Sequence, residues 1–172
     1  MSNVKYNAIK DCESQATSRT VLGFDFGTYK IGIAVGQEVT GIANALTTLT
    51  AVKKKPDWDK ISQIINEWHP NLLIVGLPLD EDGSNQEMTQ RARRFGNQLH
   101  GRYHIKTLWI DERFSSLAAK SLIIEQIENN PKLGKKNTKN QLAEDAVAAQ
   151  IIVQSWLDNP EIAVTEVDKN NA

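Results

Sequence analysis

The chain has 172 residues, 20 Lys+Arg against 21 Asp+Glu for a net charge of -1, 40% hydrophobic residues and one cysteine. That length fits one domain of about 100–200 residues and excludes large multidomain machinery. The composition is that of a globular chain rather than a disordered one, and balanced charge means that any surface for a polyanion must be local. No run approaches the ~18 apolar residues needed to span a bilayer, and the first twenty residues lack the apolar core of a secretion signal. The expectation is a cytoplasmic protein without membrane association, with Cys12 a free thiol.

Residues 1–19 are polar and aperiodic and read as a flexible extension. Val21–Phe26 reads as a strand, Gly27 and Thr28 as a turn, and Ile31–Val35 as a second strand returning beside the first. Val39, Ile42, Ala45, Leu46 and Leu49 suggest a third strand of weak periodicity. After Pro56, Trp58, Ile61, Ile64, Ile65 and Trp68 recur at the three- and four-residue spacing of one helical face. Leu72–Val75 is an unbroken apolar run that suits a strand buried on both faces.

A loop follows from Leu77 to Gln86, then a helix whose inner face carries Met88, Ala92, Phe95 and Leu99. Ile105–Ile110 reads as a strand running straight into Asp111-Glu112-Arg113. Ser115 or Ser116 can cap a further helix. Residues 129–140 form a polar loop with four lysines, and the last helix spans about Gln141 to Leu157. The ordered domain is therefore expected over 20–158, with 159–172 a flexible tail. A hairpin followed by alternating strands and helices implies an α/β domain, a mixed sheet with helices against its faces.

Three acids stand out. Asp25 lies between Phe24 and Phe26 in an apolar strand, where a carboxylate is costly unless it is paired, hydrogen-bonded or bound to metal. Glu112 arrives at the carboxyl end of a strand, where ligands gather in open α/β sheets. Asp145 projects inside the apolar stripe of Leu142, Ala146, Ala149, Val153 and Trp156 on the last helix. Each has a plainer explanation: a turn cap for Asp25, a solvated loop salt bridge within Asp111-Glu112-Arg113, in which Arg113 neutralises Asp111, and a helix cap for Asp145. As an oxygen-only set they suit Mg²⁺ or Mn²⁺ rather than zinc, and neither His100 and His104 nor His69 has ligand-like spacing. Asp25-Phe26-Gly27 spells the kinase metal tripeptide, but the other kinase loops are missing. There is no Walker-type loop and no GxSxG elbow.

Phe24-Asp25-Phe26-Gly27-Thr28 followed by Lys30-Ile31-Gly32-Ile33-Ala34 resembles the opening of the YqgF family, the pre-16S rRNA nucleases and Holliday junction resolvase-like proteins. Val75-Gly76-Leu77-Pro78-Leu79, Asp111–Ser116 and Asp145–Ala149 are similar to its other blocks, in the same order. The resemblance covers about residues 20–158. It implies a ribonuclease H-like mixed sheet of about five strands with helices on both faces, and a carboxylate site at Asp25, Glu112 and Asp145. It also implies maturation of the 5′ end of small-subunit ribosomal RNA. The chain departs from the pattern at Asp80-Glu81, where relatives often carry a neutral pair, and in its longer lead-in.

The leading expectation is a metal-dependent phosphodiesterase acting on RNA, with two divalent ions about 4 Å apart at the acids. Thr28, Lys30 and Arg113 are candidates to hold the scissile phosphate, and Lys135 and Lys136 in the lysine loop to feed RNA to the acids. The alternatives are a junction-cleaving DNA enzyme, which needs two sites in one assembly and so a homodimer rather than a monomer, and a non-catalytic RNA- or transcription-complex-binding module. A sugar-kinase or chaperone-type ATPase would need a second domain that this length excludes.

Overall fold

A computed structural model describes residues 18–164, apart from 81, 83, 85, 115, 116 and 130–139. Six strands form one mixed sheet in the order β3-β2-β1-β4-β5-β6. β1 (Thr20–Phe26), β2 (Lys30–Gln37) and β3 (Ile42–Thr50) make an antiparallel meander. β4 (Leu72–Leu77) and β5 (Lys106–Asp111) run parallel to β1. The carboxyl ends of β1, β4 and β5 therefore share one edge. Between the strands run α1 (Trp58–Trp68), α2 (Glu87–Tyr103), α3 (Leu117–Asn129) and α4 (Asn140–Asp158).

The strand period of two divides the core. From β1, Leu22 and Phe24 face α1 and α2 together with Ile31, Ile33, Leu73, Val75 and Trp109. Val21, Ala34, Leu72, Ile74, Leu108 and Ile110 face α4 and meet Ala149, Ile152, Val153 and Trp156. By the same alternation, Asp25, Gly76 and a residue two beyond Ile110, which is Glu112, fall on the α4 side. Asp111 falls on the other.

α1 starts where the Asp57 carboxylate accepts from the Lys60 amide at 3.2 Å, and it buries Ile61 and Ile65. α2 buries Ala92, Phe95 and Leu99. Phe95 meets Phe24 edge-on at 5.6 Å and stacks on Phe26 at 4.8 Å and Trp58 at 5.7 Å. Full burial of such a ring contributes roughly 1.5–3 kcal/mol, and here it fastens α2 beside the end of β1. Both helices end on a left-handed histidine, His69 and His104. The His100 ring bonds the Ile105 carbonyl at 3.0 Å, a structural role.

The sheet has one strand more than expected. Residues 160–164, placed by sequence in the tail, form a 3-10 turn and then β6 (Ala163–Val164), paired with Trp109 and Ile110 of β5. Two residues carry no readable period, which is why sequence alone misses it. The third strand begins at Ile42 rather than 39, because residues 38–41 make the hairpin turn in which the Gly41 amide bonds the Gln37 carbonyl at 2.9 Å. Ser115, Ser116, Cys12 and the lysine loop lie outside the described residues. Among the described residues no helix is long and apolar enough to cross a membrane.

Candidate active site

Asp25, Glu112 and Asp145 converge, and the alternation of the strands is the first reason. Asp25 sits near the end of β1 on the α4 face. Glu112 opens the 3-10 turn Glu112–Phe114 that continues β5, and Asp145 lies in the second turn of α4. The second reason is missing side chains. Gly32 is the ladder partner of Asp25, and a Cβ there would collide with the Asp145 carbonyl. At Gly76 a Cβ would stand 2.6 Å from both Glu112 Oε1 and Ile152 Cδ1. These two bare positions let α4 and Glu112 close over the end of β1.

The Asp25 and Glu112 carboxyl groups hydrogen-bond to each other. Burial pushes Asp25 up to about 6, the negative charge of Asp145 adds to the rise, and the bond from Glu112 opposes it. Burial likewise pushes Glu112 up to about 7, helped by the charge of Asp25, by donation of its proton to Asp25 and by the charge of Asp111. Two carboxyls thus share a proton near neutral pH, the behaviour of crowded acids.

A cleft of about 190 Å³ opens above them, lined by Asp25, Glu112, Lys120, Ala148, Ile151 and Ile152. Lys120, from α3, lines the same cleft and was not singled out by sequence. Its only signal is its place four residues beyond the expected cap.

Thr28, Lys30 and Arg113 lie at the same sheet edge. Thr28 lies in the β1–β2 turn, and its hydroxyl accepts from Arg91 Nη1 at 2.9 Å. Lys30 begins β2, half-buried. Arg113 folds back on Asp111, with Nη2 2.6 Å and Nε 2.9 Å from Oδ2, so a loop salt bridge is present, on Asp111. Asp80, the departure from the family pattern, accepts from Ser84 Oγ at 3.1 Å and Gln86 Nε2 at 2.6 Å within its own loop. Lys135 and Lys136 lie outside the described residues.

Arg91 was missed by sequence. Its guanidinium carbon stands 6.0 Å over the Phe26 ring. It precedes Phe95 by four residues and so shares its helical face, and a helix entered from β4 begins at the sheet's ligand-binding edge. A cation one turn before a core aromatic, in the first turns of such a helix, was the available signal.

As the side chains stand, no three His, Cys, Asp or Glu among the described residues are spaced to hold one metal ion. The donor set nevertheless fits a divalent cation. Asp25 and Glu112 are joined through a proton that a cation can replace, and Asp145 is close enough for its charge to act on Asp25.

A mixed sheet with β1, β4 and β5 parallel, flanked by a meander and covered by helices, is the ribonuclease H-like fold. Thermus thermophilus RuvC, solved in complex with a Holliday junction substrate, superimposes with a TM-score of 0.51 over 84% of this chain and 98% of its own, at 12% identity. The fowlpox virus resolvase with junction DNA does so at 0.53 over 82% and 98%, at 11% identity. These likenesses are of fold.

In sequence, the model of the RuvX family, described as Holliday junction resolvase, matches residues 19–159. A Nitrosococcus oceani protein named "Putative pre-16S rRNA nuclease" is 48% identical over 151 residues, 88% of this chain and 94% of its own. A Yersinia pestis protein of the same name is 44% identical over 141 residues, 82% and 96%. The chain belongs to the RuvX (YqgF) family of nucleases.

Proposed function

We propose that this nuclease hydrolyses phosphodiester bonds of RNA at Asp25, Glu112 and Asp145, and that its substrate is the 5′ end of the 16S rRNA precursor. The observation that carries the reading is the half-buried Asp25–Glu112 pair, joined through a proton, with the charge of Asp145 acting on Asp25. Such crowding of negative charge costs stability and has no structural use visible in the fold. The names of the relatives at 44–48% identity support the substrate.

Hydrolysis adds a water oxygen to phosphorus and breaks one P–O ester bond, and the departing oxygen gains the proton that the water loses. Mg²⁺ or Mn²⁺ held by Asp25, Glu112 and Asp145 would supply Lewis acidity toward the phosphoryl oxygen and lower the pKa of water. Asp145, in the second turn of α4, would complete the set. The residues of the chain bind and orient the phosphate. Lys120 brings a cation to the lining of the cleft that holds the acids, and Arg91 and Thr28 present a fixed guanidinium and hydroxyl at the end of β1. Lys30 adds charge at the start of β2. Arg113 reaches phosphate by releasing Asp111 in exchange for it. Lys135 and Lys136 precede α4 in sequence and lead RNA toward Asp145.

The test is incubation of the purified protein with rRNA precursor and with four-way DNA, each with and without Mn²⁺. Mn²⁺-dependent cleavage of the precursor, lost in Asp25→Asn, is expected. Symmetric cleavage of the junction by a dimer would replace RNA with the substrate in the family's description. Binding without cleavage by either would mean a non-catalytic module.

A further inference from the structure

Beyond the end of β3 the chain makes a second, smaller hairpin that the catalytic reading leaves without a role. Val52 and Lys55 exchange both backbone hydrogen bonds at 2.9 Å. The two residues between them, Lys53 and Lys54, have φ of 51° and 61°. A two-residue loop with both central residues left-handed normally takes Asn-Gly, because a side chain there crowds its own backbone. Strain of this kind, kept where an easier residue would serve, points to a use for the side chains.

The tip is tied to the active-site turn. Lys30 and Thr50 are ladder partners, and the Ala51 amide donates to the Tyr29 carbonyl at 2.8 Å. Tyr29 lies between Thr28 and Lys30 and is 62% exposed. It is the one exposed aromatic among the residues whose side chains are described. Lys53, Lys54 and Lys55 are all exposed, and among the described residues none is in an ion pair. The next acid along the chain, Asp57, is engaged in capping α1 and in a 3.6 Å pair with Lys60. β3 is two strand spacings from β1, about 10 Å to the side, so the tip flanks the acids rather than covering them.

Unpaired lysines beside an exposed aromatic are the elements of a single-strand binding track, with phosphates on the cations and a base on the ring. We propose that the Lys53–Lys55 tip and Tyr29 dock the single-stranded RNA that flanks the scissile phosphate. This rests on the nuclease reading, whose acids it leaves unchanged.

The experiment measures binding of a precursor RNA with a single-stranded flank, of a blunt duplex and of four-way DNA, across a salt series. Cleavage is blocked by Asp25→Asn, and cleavage by the otherwise wild-type chain is assayed in parallel. Lys53→Asn with Lys54→Gly suits the turn better, so the thermal midpoint should hold or rise. The log–log salt slope should flatten by about 1.4, at roughly 0.7 per lost phosphate contact on single strands. Tyr29→Ala should weaken flanked RNA roughly fivefold or more, leaving the slope and the blunt duplex unaltered. Normal cleavage by the wild-type chain, with both variants binding as the parent does, overturns this surface and leaves the nuclease reading standing. A wild-type chain that neither binds nor cleaves nucleic acid overturns both. Losses confined to four-way DNA overturn RNA as the occupant.

Discussion

Gly32 and Asp145 touch without a side chain between them: the carbonyl of Asp145 occupies the place a Cβ on Gly32 would need. Because Gly32 is also the ladder partner of Asp25, this contact sets how closely α4 brings its acid to the acid of β1. Glu112 is seated over Gly76 in a comparable way, except that the colliding atoms there are the far ends of the Glu112 and Ile152 side chains.

That difference separates two substitutions. Alanine for glycine inside a strand is ordinarily neutral or favourable. Gly32→Ala should instead destabilise by about 1–3 kcal/mol, because backbone must move, and cleavage should fall with it. Gly76→Ala displaces side-chain ends and should cost under about 1 kcal/mol, yet lower kcat roughly a hundredfold by moving Glu112. Urea denaturation and single-turnover cleavage on both variants read the contrast; equal stability losses would contradict it.

The shared proton makes stability depend on pH. Asp25 and Glu112 have folded pKa values of about 6 and about 7, raised above their unfolded values, so the native state holds protons that the unfolded chain has released. Stability of the metal-free protein should therefore fall as pH rises from about 4 to about 7. Each group contributes about 1.4 kcal/mol for every tenfold difference in proton affinity between the folded and unfolded chain. Asp25→Asn should abolish cleavage, leave the fold intact, shrink this slope and hold or raise the midpoint at pH 7. A midpoint that climbs with pH across that window in the wild type would refute the assignment.

Divalent metal should reverse the trend. Mn²⁺ binding only the folded state stabilises by about 2.7 kcal/mol at a hundred times Kd, and protons compete for the same oxygens. The thermal midpoint should rise with Mn²⁺ at pH 7.5 and much less at pH 5. Asp25→Asn should blunt the rise, whereas Asp59→Asn on the exposed side of α1 should not. Calorimetry that detects no Mn²⁺ binding, with and without RNA, would remove the metal from the mechanism.

Arg91 is expected to act on substrate rather than on the fold. Arg91→Ala should raise KM and flatten the salt slope of RNA binding by about 0.7, with a stability change within about 1 kcal/mol. Arg91→Lys should recover the slope but only part of the rate, since an ammonium lacks the planar fork that meets Thr28 and phosphate together. An unchanged slope in Arg91→Ala would leave this arginine a merely structural neighbour of Phe26.

The amino-acid order by itself determined the elements up to α4 and their ordering: the β1–β2 hairpin, the buried run of β4, the helical faces built on Ile61 and Phe95. It also marked Asp25, Glu112 and Asp145, because an acid inside an apolar period is visible without coordinates. The side of the sheet was legible too, since Asp25 lies two residues from Gly23 and Glu112 two from Ile110, and parity along a strand is a local property. What only the tertiary structure decided depends on which surfaces meet. Gly32 and Gly76 look like ordinary strand glycines until α4 and Glu112 are packed on them. Arg91 becomes part of the site only once Phe95 has docked α2 at the end of β1. β6 exists because β5 offers it an unpaired edge, and Lys120 faces the cleft because α3 leans on α4. These are contacts between distant segments, and no local period or propensity encodes them.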